Sequence, residues 1–306
     1  MARTIGAAIS AVNIVACLVR GAVCAYSVGM TKHGKPLAYD LAQWQAIERW
    51  RQAQPDWGTR TMRTPSRIAA FAAQKIVPAG VLRGVLRGVD HAAGWTAVRQ
   101  DVLKAAGVEQ LDDLRRAPLE ECDRLAQRVE VRAMALGIGG GALFGLAGAP
   151  GIAADIPTLL ALALRTIHRT AYCYGEDWRA PERRGLAIGV FALASANTLE
   201  EKQTAWAAWC ESGDLFAEAW RDGVERVAER HLAKGAAQFS IKSLADRIGF
   251  NIARRSVFGL GLVPVIGAVI GGAVNAGYLQ DIAAVAQRAL QYRCLSARYP
   301  ALLASG

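Results

Sequence analysis

Hydrophobic positions recur at helical spacing along nearly the whole of this chain, and no stretch alternates as a half-buried strand would. Leu41, Trp44, Ile47 and Trp50 follow Asp40, predicting a helix capped by that carboxylate and reaching about Gln54. Thr64-Pro65 sets a capping side chain before a proline at the first helical position, which predicts a helix to Val77. Pro78 restarts the chain as a helix to Ala106, ended by Gly107. A short helix around Leu111 and Leu114 comes next, and Pro118 opens a longer one. Beyond it the pattern predicts helices over about 155–174, closed by Gly175, and over 181–194, 199–210, 214–234, 240–256 and 281–298. The fold class is all-α, a multi-helix bundle.

Two uncharged runs stand out from this background. Residues 133–164 carry one charge, Asp155, and nearly a third of them are glycine or proline. Residues 256–280 repeat the style with no charge at all. Each is as long as the roughly 20 apolar residues that cross a bilayer, but proline and glycine interrupt both. Gly137, Gly141 and Gly145 lie four apart, as do Gly267 and Gly271, with Asn275 one turn on. On a helix each series makes a smooth face that another backbone can approach closely. Because interior glycine costs up to about 1 kcal/mol relative to alanine, such faces need close packing to offset it.

Pro150-Gly151 is a turn signal inside the first run, with Arg128 and Arg132 before it and Arg165 and Arg169 after. This predicts a bent, re-entrant or interfacial hairpin rather than one crossing. Asp155 sits four residues past that turn, where a bare carboxylate in lipid costs roughly 2.5–3.5 kcal/mol. It reads more plainly as an N-cap ahead of Ile156-Pro157 than as a functional group. Asp155, Arg165, His168 and Asn275 form a candidate polar cluster if the fold brings them together.

Charge sharpens the picture. The chain has net charge +10, and eight basic groups face only Asp90 and Asp101 between Arg60 and Lys104. Arg63, Arg67, Lys75, Arg83 and Arg87 are interleaved with Ala, Val and Leu, as in a basic amphipathic stretch suited to anionic lipid or an acidic partner. An ordinary solvated helix face is the plainer alternative. No nucleic-acid motif accompanies the basic groups, so nucleic acid is not the expected partner. The six cysteines are scattered with no metal-ligand spacing and read as reduced, buried small side chains. No metal or cofactor site is expected. Nucleophile-elbow, phosphate-loop, dinucleotide and zinc-protease patterns are all missing, and His33, His91, His168 and His231 are widely separated.

Residues 1–29 read as an apolar leader, with Met30 as an alternative start, a membrane anchor or a cleaved signal as competing explanations. Residues 139–177, GGGALFGLAGAPGIAADIPTLLALALRTIHRTAYCYGED, resemble the central signature of the bacterial EcsC family at Gly141, Gly145, Asp155, Pro157, Arg165, Tyr174 and Gly175. The C-terminal stretch is similar to that family's closing block at Pro264, Gly267, Gly271, Asn275, Asp281 and Ala286. Tyr39 to Trp50 and Lys75 to Pro78 are similar to its N-terminal part, which makes residues 30–306 a single EcsC-like helical domain. The resemblance implies a helical, membrane-associated protein with no catalytic residue set, and an ABC transporter as one class of membrane partner. The resulting expectation is a non-enzymatic protein at the cytoplasmic face of the bacterial inner membrane, or in the cytoplasm, accessory to transport or secretion. The alternative is a soluble hydrolase-like enzyme or ligand-binding module built on Asp155, Arg165 and Asn275.

Overall fold

The computed structural model describes residues 36–55, 99–146, 148–179, 183–194, 196, 198–211 and 264–304. The predicted helices over 64–77, 214–234 and 240–256, the leader at 1–29, and Arg63, Arg67, Lys75, Arg83 and Arg87 lie outside these residues. Among the described residues there are nine helices and no strand, so the all-α class holds. They are α1 (Ala38–Gln52), α2 (Arg99–Ala106), α3 (Leu111–Arg116), α4 (Leu119–Leu146), α5 (Gly148–Cys173), α6 (Arg184–Ala194), α7 (Leu199–Glu211), α8 (Pro264–Arg298) and α9 (Pro300–Ala304).

Three long helices organise the molecule. α4 and α5 form a hairpin, and α8 packs along both, most extensively along α4. The buried stripe of α4 runs Leu119, Cys122, Leu125, Ala126, Val129, Ala133, Gly137 and Gly141, steps of three and four that keep one face inward. Its side chains shrink toward the hairpin tip. α8 runs antiparallel to α4, and its inward side chains grow in the opposite sense, from Gly271 through Ala276 to Leu279 and Ile282. The two helices therefore converge at the tip and splay at the base. Leu159, Leu160, Leu164 and Ile167 of α5, with Phe191 of α6 and Leu290 of α8, fill the opened space.

Helix ends follow local chemistry. Gly107 has φ +72° and Gly175 has φ +75°, the left-handed conformation that lets each close its helix. In both, the next residue's N–H reaches five residues back: Val108 to the Leu103 carbonyl at 3.1 Å, Glu176 to that of Ala171 at 3.0 Å. Thr198 caps α7 by accepting the Glu201 N–H at 3.2 Å.

Four expectations about elements need correction. Pro150-Gly151 is not a break between helices: α4 ends at Leu146 and α5 begins at Gly148, so Pro150 lies in the first turn of α5, where an N–H would have no intrahelical partner. Asp155 is consequently interior to α5 and not its N-cap. Asp40 is not a cap either; it lies within α1, buried, and accepts the Tyr299 hydroxyl at 2.8 Å. Finally, the second glycine run and the expected helix at 281–298 are one element, α8, with nothing between Pro264 and Arg298 to break it.

Candidate functional site

The glycines of the two runs meet each other. A Cβ added at Gly141 would collide with the carbonyl of Gly271, and one added at Gly271 would lie 2.5 Å from the Gly141 oxygen. At Gly137 a Cβ would lie 2.9 Å from the Ala276 nitrogen. Backbone rests on backbone there, and only glycine permits it. Gly139 and Gly140 face open space instead, and Gly267 lies in the first turn of α8. Gly145 is in the last turn of α4.

Directly below this crossing the Asn275 amide donates to both oxygens of Asp155, at 2.8 and 3.1 Å. Both residues are buried. Burial pushes the Asp155 carboxyl above its ordinary range, and the Asn275 hydrogen bond offsets that only in part. Arg165 and His168 belong to the same helix but lie 10 and 13 positions further on, about 15 and 20 Å along the axis. The structure thus joins Asp155 to Asn275 and leaves Arg165 and His168 at the other end of α5. A shared site of all four is not formed by this geometry.

Around the crossing, large apolar side chains face outward. Leu143 is 68% exposed and Val269 69%, and Leu136, Ile138 and Leu146 are half exposed. Among the described residues α4 alone is long and apolar enough to cross a membrane, and only 22% of its most apolar window is buried. A core helix of a compact protein would be mostly buried, so the surface calls for an explanation.

At the other end of this apolar zone, arginines gather. Arg165 and Arg169 are one turn apart on α5, and Arg132 stands on the adjacent α4. The Arg169 guanidinium is held below its ordinary range first by burial and then by the charges of Arg165 and Arg132. Asp101 answers with an ion pair to Arg169 at 3.5 Å, and its side chain is 48% exposed.

Three further polar groups escaped the sequence reading. Asp123, buried on α4, accepts hydrogen bonds from the Tyr39 hydroxyl at 2.7 Å, the Gln291 amide at 2.8 Å and the Tyr174 hydroxyl. It ties α1, α8 and the end of α5 to α4. Burial and this carboxylate raise both phenols, so they stay donors. Glu176 accepts Arg293 at 3.0 Å and the Trp178 indole at 2.6 Å. Burial would raise the Glu176 carboxyl, but Arg293 and these bonds hold it below the ordinary range. Lys202 donates to the carbonyls of Trp50 and Ala53, the latter at 3.1 Å, and caps α1 beneath the Trp50 ring. Burial lowers its pKa to about 8. Asp123 was detectable as a charge on the apolar stripe between Cys122 and Leu125, whereas its partners come from 84, 51 and 168 positions away.

No three His, Cys, Asp or Glu side chains converge as metal donors among the described residues. Burial raises the thiol of Cys122 to about 12 and that of Cys294 to about 11, which leaves both protonated and unreactive near neutrality.

The model of the EcsC protein family matches residues 41–295, well over half of the chain. The chain belongs to the EcsC family. A curated relative, the uncharacterised protein YdbA of Bacillus subtilis strain 168, is 28% identical over 182 residues. That alignment takes in 57% of this chain and 58% of YdbA, so the chain spans little more than half of that relative's length. No solved structure matches significantly. The EcsC match includes both glycine runs and the Asp155–Asn275 pair, and leaves residues 1–40 outside it.

Proposed function

We propose that this EcsC protein is a non-enzymatic, membrane-associated protein whose glycine-packed tip dips into one leaflet, at the cytoplasmic face of the bacterial inner membrane. The observation that carries this is the outward apolar surface of Leu136, Ile138, Leu143, Leu146 and Val269, set on the backbone-to-backbone crossing of α4 and α8. Between Arg132 and Leu146 α4 rises about 21 Å, against about 15 Å for half of a bilayer's hydrocarbon core. The uncharged end of α4 is thus long enough for one leaflet and its headgroup boundary. Asp155, about 10 Å along α5 from Gly148, would be carried inside protein with the Asn275 amide rather than bare in lipid.

Glycine serves this reading physically. Close backbone approach gives a slender tip rich in van der Waals contact, the interaction that still holds helices together where lipid removes the hydrophobic drive between them. An accessory role beside a membrane transporter is the partner hypothesis that accompanies this reading, and co-purification from native membranes tests it.

Cell fractionation tests the membrane reading itself. The protein should stay with membranes in high salt, and Leu143→Asp together with Leu136→Asp should move most of it to the soluble fraction while leaving it folded by circular dichroism. Recovery of the unaltered protein wholly in the soluble fraction at low salt would sink the proposal.

A further inference from the structure

We propose that Arg132, Arg165 and Arg169 form a phosphate-binding cluster at the base of the apolar tip. Arg165 and Arg169 are one turn apart on α5, and Arg132, on the antiparallel α4 packed against it, is near enough for its charge to be felt at Arg169. The Arg165 Nε atom is buried and has no hydrogen-bond partner among the described residues, an arrangement that is costly unless something supplies an acceptor. Arg169 has 12% of its side chain exposed and, among the described residues, pairs with the exposed Asp101 carboxylate at 3.5 Å, a long contact that water screens. Among the described residues, three guanidinium groups stand against the one carboxylate of Asp101. Mutual repulsion within the group is felt at Arg169, where both Arg165 and Arg132 disfavour the charged form.

Phosphate oxygens are the acceptors this geometry suits. Guanidinium presents a planar fork of donors that engages two oxygens of one tetrahedral anion, and it stays charged when partly buried. A single carboxylate could satisfy one arginine but not all three. Arg132 lies about 21 Å from the tip end of α4, and Arg165 about 26 Å from the start of α5. With the tip at mid-bilayer Arg132 would stand at the outer edge of the headgroup region, about 20–22 Å from the midplane, and Arg165 and Arg169 about 5–10 Å beyond it along the helix axis. The lipid source of the phosphate rests on the one-leaflet reading; the affinity for phosphate itself does not, and a soluble phosphate would meet the same donors.

The test uses the full chain and flotation with vesicles of phosphatidylcholine alone or mixed with phosphatidylglycerol. Arg165→Gln with Arg169→Gln should weaken binding to the mixed vesicles about 30-fold and binding to pure phosphatidylcholine, whose phosphate charge is offset by choline, far less; Arg132→Gln, at an exposed position, should weaken binding to the mixed vesicles about fivefold. Retention of the full phosphatidylglycerol effect by all of these variants overturns the cluster. In a thermal melt, a rise in Tm with inorganic phosphate that vanishes in the double variant, without any phosphatidylglycerol effect, keeps the site and assigns it to free phosphate. Leu143→Asp separates the two ideas. Loss of phosphatidylcholine binding by that variant, with the arginine variants unaffected on either vesicle, upholds the tip and overturns the phosphate cluster. Unchanged phosphatidylcholine binding by Leu143→Asp, alongside loss of the phosphatidylglycerol effect in the arginine variants, upholds the cluster and overturns the tip.

Discussion

Glycines that look alike in the sequence have opposite duties at the level of single residues. Gly141 is pressed against the Gly271 carbonyl, whereas Gly139 and Gly140, two positions and one position earlier, would present a Cβ to open space. Gly141→Ala should therefore force α4 from α8 and lower stability by about 1–3 kcal/mol, while Gly139→Ala should be neutral or stabilising by up to about 1 kcal/mol. Urea unfolding of the two variants in parallel checks this; equal effects would contradict the crossing. The four-residue spacing identified Gly137, Gly141 and Gly271 as packing positions, but not that each run is the other's partner. Partner choice is a tertiary fact with no local signal. Asp155 makes a second residue-scale prediction. Because its folded carboxyl is raised, its contribution to stability is fully present below the ordinary value of 3.8 and lost as pH rises through the folded pKa. Asp155→Asn, which can still pair with Asn275, should match or exceed the native protein at neutral pH and lose that advantage as pH falls. A stability difference independent of pH would show that Asp155 is not held as described.

Among the elements, the legible features were those set by neighbours in sequence. The ends of α2 and α5 at Gly107 and Gly175, and the start of α4 after Pro118, follow from backbone conformations that nearby residues dictate. What misled was punctuation. Pro150-Gly151 has the composition of a turn, but proline is equally at home in the first helical turn, and α5 starts ahead of it. Likewise the pattern predicts a separate helix over 281–298, but a charge such as Asp281 does not stop a helix, and α8 runs on for 35 residues. Gly175 is the element boundary with the sharpest consequence. Its φ of +75° excludes a relaxed side chain, and a Cβ there would stand 2.5 Å from the Leu111 carbonyl. Gly175→Ala should destabilise by about 1–3 kcal/mol and loosen α3 from α5, read as faster hydrogen exchange at α3 amides. Unchanged exchange there would count against this joint.

For the molecule as a whole, the base and the tip obey different rules. The base is a packed core stitched by buried polar groups: Asp123 with three donors, Glu176 with Arg293, and Lys202 capping α1 beneath stacked and edge-on aromatic rings. These ties join residues far apart in the chain, so their partners could not be assigned from spacing. The tip has a narrow glycine seam, one internal Asp–Asn pair and an apolar exterior. Hydropathy identified the tip segments, and only the fold could tell which side chains point outward. That outward set is what the membrane reading stands on. The most direct measurement places a photo-crosslinking amino acid at Leu143 or Val269 of the full chain in native cells, with exposed Glu109 as the control position. Irradiation should yield phospholipid adducts at Leu143 and Val269, seen by mass spectrometry, and none at Glu109. Adducts to protein alone at both tip positions, or lipid adducts no more frequent there than at Glu109, would contradict the account.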